Sequence, residues 1–480
     1  MNQQRMPLFH ALQQFSVNRP ISFHVPGHKN GNIFPEAVKQ YFHTLLKFDM
    51  TELTGLDDLH APETVIADAE QLAADFFQTK KTFFLVGGST AGNLAMILAT
   101  CKASDKVIVQ RNVHKSIMNG LELCGASPVF IAPDYNEAVH RYNNPNINTL
   151  KRAIEQHPNA KAVVLTYPDY FGHTFALKKM IELAHSHRIP VLIDEAHGVH
   201  FSLGSPMPPS AIKLGADIVV QSAHKMAPAM TMGSYLHMNS RYVSERQVAH
   251  YLQMIQSSSP SYPLMASLDI ARAFLANMPP KAIHAILDSV DKVKGALSQT
   301  NYWSIVTADD PLKITLEMQE GITATQVASY FEEQQIYPEL ATHNQLLFIH
   351  GLAPFTEVNR LKKAVKTVND QLKNTARHDT IDIQGLFTEK VQELALSYQT
   401  MDQLQTNYFP LQDAVGYVAA ESVIPYPPGI ALILKGEVIT TTHINTLFLL
   451  REQGVRMQHR YTEDIQVFIN IGLEEGEEGS

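Results

Sequence analysis

From about residue 80 to 240 the chain alternates short apolar, β-rich runs with segments of helical length, and this regularity constrains the fold more than any other feature. The strand-like runs are TFFLV (82–86), KVIVQ (106–110), PVFIA (128–132), AVVLTY (162–167), VLIDEA (191–196) and DIVVQSA (217–223). Between them lie NLAMILATC, SIMNGLELC, TLKRAIEQH and LKKMIELAHSH, with leucines and isoleucines three and four apart. Runs without polar alternation suit strands covered on both faces, and helices between such strands make the sheet parallel. The expectation is an α/β domain of the doubly wound kind, with ligands bound at the carboxyl ends of its strands.

At 480 residues the chain exceeds one ordinary core. Residues 1–50 read as an N-terminal arm containing the dense polar-aromatic run FHVPGHKNG (23–31), and 51–270 as the major domain. From 271 to 375 the pattern becomes helix–strand–helix–strand, with SIVTA, KITLEM and LLFIHGL, which predicts a smaller α+β domain. Residues 376–408 are polar and weakly patterned, and read as a linker. The last unit, 409–480, carries the helix LQDAVGYVAAESV, the stretch IPYPPGIALIL, a second helix and the strand DIQVFIN. Its tail LEEGEEGS reads as a frayed, solvated end.

Composition narrows the class. Apolar residues make up 45% and charged residues 18%, a soluble globular balance. The net charge is −9 without a Lys/Arg block, which argues against nucleic acid or an anionic membrane as partner. No apolar run approaches the roughly 20 residues of a membrane-spanning helix, and the N-terminus lacks the order of a secretory signal. Cys101 and Cys124 fall in apolar helical surroundings and read as buried thiols, which fits a reducing cytoplasm.

The strand ends collect polar groups that a pure core does not call for. After the first strand, Gly87-Gly88-Ser89-Thr90 opens a helix whose first N–H groups are unpaired, which is either a phosphate cradle or ordinary N-capping. His114, after the second strand, sits at a helix start, where a neutral imidazole can lie flat on a planar ligand or simply face solvent. The fifth strand delivers Asp194, His197 and His200, whose spacing admits a metal, although neither nearby cysteines nor an HExxH helix supports one. The sixth delivers Ser222, His224 and Lys225. A phosphate cradle, a stacking histidine, a buried carboxylate and a lysine on one rim are together what pyridoxal phosphate needs. Its aldehyde condenses with an amine, its phosphate suits a helix N-terminus, and its ring nitrogen is kept protonated by a carboxylate.

Seven ordered motifs, FHVPGHK (23–29), GLDDLHAP (55–62), RNVHKS (111–116), DEAHGVH (194–200), SAHK (222–225), SSSPSYPLMASLD (257–269) and AAESVIPYPPGIAL (419–432), extend this over nearly the whole chain. With them the chain resembles the Orn/Lys/Arg decarboxylases, pyridoxal-phosphate enzymes of fold type I, in the short bacterial form without a wing domain. The resemblance implies an aspartate-aminotransferase-like major domain, a smaller α+β domain and a C-terminal α+β domain. It implies that Lys225 bonds the cofactor, Asp194 pairs with the ring nitrogen and His114 stacks on the ring. His197 would lie near the 3′-oxygen, and Ser89, Thr90, Ser222 and His224 would hold the phosphate. It further implies a homodimer or higher homo-oligomer with shared sites, to which Ser257 to Ser259 would contribute.

The expected reaction is decarboxylation of lysine, arginine or ornithine to an amine. Candidates for the substrate are His28, Asp57, Asp58, Ser258 and Glu421, with Asp169 considered beside them. The chain departs from the family pattern at Tyr167-Pro168-Asp169-Tyr170, where Asn-Pro-Thr-Tyr is common, at Ala431, and at Gly87-Gly88-Ser89-Thr90. Another reaction of the same cofactor, transamination or aldol cleavage, is the nearest alternative, and a cofactor-binding regulator without turnover is the other. A nucleotide-binding dehydrogenase does not fit, since no GxGxxG follows the first strand.

Overall fold

The computed structural model describes residues 1–373, 386–387, 389–425, 430–452, 455, 457–458 and 463–469. Residues 426–429 of the IPYPPGIALIL stretch and the acidic tail lie outside the described residues.

The alternating runs form β1 (Lys81–Leu85), β2 (Lys106–Gln110) and β3 (Ser127–Ile131), then a hairpin of β4 (Pro133–Asn136) and β5 (Arg141–Pro145). They continue as β6 (Ala162–Thr166), β7 (Val191–Asp194), β8 (Ile218–Ser222) and β9 (Ser234–Met238). A small antiparallel sheet follows, built from β10 (Trp303–Val306), β11 (Lys313–Met318), β12 (Leu340–Ala341) and β13 (Gln345–Ile349) in the order β10-β11-β13-β12. In the stretch read as a linker, β14 (Val391–Glu393) returns to the large sheet and pairs with β3. The large sheet therefore runs β1-β9-β8-β7-β6-β2-β3-β14. Its centre, β8 through β3, is parallel, while β9 runs against β8 and β1.

Both faces of this sheet are covered. Ile108, Val163, Leu165, Ile193 and Val219 enter one apolar cluster with the helices Ile147–Gln156 and Leu177–Ser186. Their neighbours Val107, Val109, Val164, Leu192 and Val220 enter a second with Gly88–Thr100 and Lys115–Cys124. Each such Val, Leu or Ile, fully withdrawn from water, contributes roughly 1.5–3 kcal/mol.

Two elements depart from expectation. β9 is wholly buried although its sequence, SYLHM, carries no clean apolar run. Its His237 is accommodated because the ring lies 2.8 Å from Thr82 Oγ1 and 3.0 Å from Gln221 Oε1. The expected helix LQDAVGYVAAESV is instead a single 3₁₀ turn, Leu411–Asp413, followed by isolated bridges at Val418, Ala419 and Val423. Gly416, at φ +88°, breaks any helix there, and the small residues beyond it are buried by cross-chain pairing.

The C-terminal unit comprises β15 (Thr406–Pro410), β16 (Ile424–Pro425), the helix Thr441–Glu452, β17 (Met457–Gln458) and β18 (Asp464–Phe468). It is fastened to the major domain by Arg111. This guanidinium is 2% exposed, bonds Glu437 Oε2 at 2.7 Å and donates to the carbonyls of Ala431 and Leu432 at 2.9 and 3.2 Å.

Candidate active site

The central strands aim their carboxyl ends at one rim, where a cavity of about 610 Å³ opens. The helix Gly88–Thr100 begins there with Gly87 as N-cap and no side chain bonded to its first amides, so those donors and the positive dipole end face the cavity. Gly92 lets this helix lie close on the sheet, since a Cβ would stand 2.7 Å from Leu85 Cδ1 and 2.8 Å from Val220 Cγ1. Ser89 Oγ lies 2.6 Å from Ser222 Oγ, which joins the helix start to the end of β8. Thr90 lines the same turn, and His224 lies beside it with Nδ1 3.2 Å from the Gly233 carbonyl.

Asp194 closes β7 and is 3% exposed. Its Oδ2 accepts from Asn93 Nδ2 at 2.9 Å and its Oδ1 from the Ala196 amide at 3.1 Å, and no cationic side chain of the described residues bridges it. A buried carboxylate so placed favours a cationic partner. Asn93 Nδ2 also donates to Ser116 Oγ at 2.9 Å, so the Ser116 hydroxyl is free to donate to His114 Nδ1, 2.9 Å away. The Ser116 amide donates to the same nitrogen as the helix cap. These bonds select the Nε2–H tautomer of a neutral His114. Burial pulls its pKa down, opposed by Asp194 and aided by Lys225 and Lys115.

Across the cavity, Lys225 follows β8 in the short helical turn Ala223–Met226. Its Nζ lies 2.9 Å from His197 Nε2 and 5.5 Å from the centre of the Tyr170 ring. Burial lowers the pKa of this amine, with Asp194 and Glu339 opposing. The Tyr170 ring lies with its centre 4.1 Å from that of His197, tilted by 50°, and its hydroxyl donates to Glu339 Oε1 at 2.6 Å. Among the described residues, three buried oxygens on the cavity wall, Asn93 Oδ1, Thr166 Oγ1 and Asp169 Oδ2, have no hydrogen-bond partner.

These residues fit pyridoxal phosphate. An uncapped helix start with two serines suits its phosphate, an unbridged carboxylate suits its ring nitrogen, and a depressed lysine suits its aldehyde. The cavity thus brings together Ser89, Thr90, His114, Asp194, His197, Ser222, His224 and Lys225.

The substrate candidates are not brought to this wall. Asp57 accepts backbone N–H groups from Asp58, Glu63, Thr64, Ile66 and Ala67, and so builds the turn before the helix Val65–Phe77. Asp58 caps the His60 amide, His28 pairs with Asp49 at 3.1 Å, and Glu421 accepts from the Gln466 amide. Ser258 lies in an exposed turn. Asp169 does line the cavity, but its Oδ1 accepts the Phe171 and His173 amides, and Arg141 stands 3.6 Å from its Oδ2. Burial pushes the Asp169 carboxyl up, yet His173 and Arg141 outweigh it and hold it below the usual range. Tyr167 is structural, its hydroxyl donating to the Pro209 carbonyl at 2.9 Å.

The metal reading of Asp194, His197 and His200 does not survive, because His200 turns away to Asp310 at 3.0 Å. Among the described residues no cluster of His, Cys, Asp or Glu is arranged to hold a metal ion, and no helix is long and apolar enough to cross a membrane. Cys101 and Cys124 are free thiols. Sequence reading missed Asn93, Ser116, Thr166, Tyr170 and Glu339. Asn93 carried a faint signal as a polar residue opening an apolar helix, but Glu339 lies in another domain and carried none.

Comparison with known proteins identifies the family. The family model described as Orn/Lys/Arg decarboxylase, major domain, matches residues 6–317, and the model for the C-terminal domain of the same family matches 381–466. The Bacillus subtilis protein YaaO is 42% identical over 460 residues, covering 94% of this chain and 95% of that protein. An arginine decarboxylase of Bacillus subtilis is 33% identical over 472 residues, covering 95% and 96%. Among solved structures, the Francisella novicida lysine decarboxylase superposes with a TM-score of 0.80 at 20% identity, over 96% of this chain and 81% of that one. The Sphingomonas wittichii serine palmitoyltransferase superposes with a TM-score of 0.52 at 17% identity, over 64% and 76%. The last two likenesses concern the fold, which is fold type I. The chain belongs to the Orn/Lys/Arg decarboxylase family and is a pyridoxal-phosphate-dependent carboxy-lyase.

Proposed function

We propose that the enzyme removes the α-carboxylate of a basic amino acid, with arginine the first substrate to test, and releases the corresponding amine, a polyamine precursor. The observation that carries this reading is the pairing across one cavity of a depressed lysine, Lys225, with an unbridged carboxylate, Asp194. The 33% identical relatives named arginine decarboxylase support arginine, while more distant ones are named for lysine and ornithine.

When bound, pyridoxal phosphate supplies an electron sink for the pair left as the Cα–carboxylate bond breaks. Lys225 Nζ, largely desolvated, would be the amine that holds the cofactor through its aldehyde. Asp194, oriented by Asn93 and the Ala196 amide, holds a proton on the ring nitrogen. His114 would offer its neutral face to the ring, and the amides after Gly87 with Ser89 and Ser222 would hold the phosphate. Of the acidic side chains on the wall, Asp194 serves the ring, and Asp169 gives Oδ1 to backbone amides while Oδ2 faces Arg141 at 3.6 Å. Glu339, oriented by Tyr170, is the remaining carboxylate, and we assign it to the distal cation of the substrate.

A homodimer with shared sites is part of the reading. Ile21, Phe23 and Tyr41 of the N-terminal arm are 86%, 94% and 76% exposed, which suits a second copy as their cover. Ser258 and His28 would then serve the neighbouring site. Free Cys101 and Cys124 suit the cytoplasm.

The test is a panel of arginine, lysine, ornithine and neutral amino acids, scored for carbon dioxide and amine. One basic amino acid should dominate. Keto-acid formation would favour transamination, and cofactor absorbance without any product would favour a regulator.

A further inference from the structure

Lys313 opens β11 in the small sheet, yet its side chain leaves that sheet and is 1% exposed. Its Nζ lies 3.3 Å from His197 Nδ1 and 3.7 Å from Met226 Sδ. Among the described residues no carboxylate forms an ion pair with it. The neighbouring Asp310 is engaged by His200 at 3.0 Å and by the Leu312 amide at 3.0 Å. Gly172 makes room for the stem, since a Cβ there would stand 2.7 Å from Lys313 Cγ. A buried lysine without a carboxylate is costly, and the chemistry above leaves it without a task.

The other nitrogen of His197 supplies one. Nε2 lies 2.9 Å from Lys225 Nζ, so the ring is held between two amines. Burial first, then the two lysines, keep His197 well below its ordinary pKa, and the imidazole is neutral. A neutral imidazole has one N–H and one lone pair. Only one of the two amines can therefore donate to the ring, and the other must accept from it.

We propose that Lys313 is a positioning residue: its ammonium donates to His197 Nδ1, fixes the Nε2–H tautomer, and so holds Lys225 Nζ as an unprotonated amine. The lone pair thus exposed attacks the aldehyde carbon, and a C=N bond forms as water leaves. The charged groups around Lys313 are Asp310, Lys225, Glu339 and Asp169, and His197 also faces His114 and His200. Burial lowers both amines, Lys313 to about 8, and the attack asked of Lys225 decides which of the two carries the free lone pair. The inference rests on Lys225 being the residue that bonds the cofactor.

The experiment is the pH profile of pyridoxal-phosphate uptake by the cofactor-free full-length chain, followed by absorbance in stopped flow. In Lys313→Met the acid limb should move up by about one pH unit, which slows uptake at neutral pH about tenfold. The same substitution in a His197→Phe background should add no shift. An unmoved limb, or an equal shift with and without His197, overturns the proposal. Should Lys313→Met fail to fold, ¹⁵N-histidine spectra of the wild-type cofactor-free chain, assigned with His197→Phe, read the tautomer directly. A proton on Nε2 supports the inference, and one on Nδ1 overturns it. Covalent uptake that persists in Lys225→Ala would instead defeat the underlying assignment.

Discussion

Asp194 and Asp57 are both carboxylates that stand out in the sequence, and the structure surrounds them in opposite ways. Asp57 has both oxygens filled by five backbone N–H groups from its own loop and the helix it introduces. Asp194 has one side-chain amide and one backbone amide, at a cavity where three further buried oxygens lack a hydrogen-bond partner among the described residues. A polar group saturated by its own backbone belongs to the fold, whereas buried polar groups left short mark a place for a ligand. That contrast separates structure from chemistry better than residue type does.

The sharpest way to break it is at the rim. Lys225→Ala should lower decarboxylation by at least about 10³-fold, because a nucleophile acts as a unit with its neighbours. The melting temperature of the cofactor-free chain should barely change. Asp57→Ala should do the reverse, costing about 1–2 kcal/mol as a lost cap while kcat at permissive temperature stays near wild type. A chain that melts normally but loses turnover would return Asp57 to the active site.

The acid response of that variant sharpens the contrast. Burial pushes the Asp57 carboxyl up, but the amides of Glu63, Thr64, Asp58 and Ile66 outweigh it and hold it below its ordinary value of 3.8. A depressed carboxylate stabilises the fold above its unfolded pKa, and that contribution is lost as pH falls through the folded one. The melting gap between wild type and Asp57→Ala should therefore persist from neutrality to near pH 4 and close below it. The smallest effect concerns Glu339→Gln, which should raise KM for a basic substrate by up to about tenfold, on the order of 1 kcal/mol for an exposed charge pair, with kcat little altered. An equal rise for a neutral amino acid would remove Glu339 from cation recognition.

The strands that carry the cofactor residues were legible because each is a local apolar run, and the polar residues follow it directly in the chain. β9 was not, since its polar residues are paid for by partners on β1 and β8 that no local window contains. The same reason hid Glu339 and Lys313, which reach the site from the small domain. Three of the substrate candidates, Asp57, Asp58 and Glu421, accept backbone amides of this chain, which residue type alone does not reveal. Asp57 and Asp58 lie in a conspicuous motif, but motifs can mark a turn as readily as a contact. The expected helix at 411–423 failed because burial there comes from pairing with residues 433–438 and 467, not from a helical face.

The grip of Arg111 on the C-terminal unit also bears on the timing of synthesis. Its partner Glu437 lies 326 residues later, and the bridge from His114 to Ile430 spans a similar interval. A nascent chain that has already made every strand around Lys225 and Asp194 still lacks the groups that anchor the His114 wall. The ribosome must deliver the chain past residue 437 before that wall is fixed, so chains halted earlier are poor traps for the cofactor.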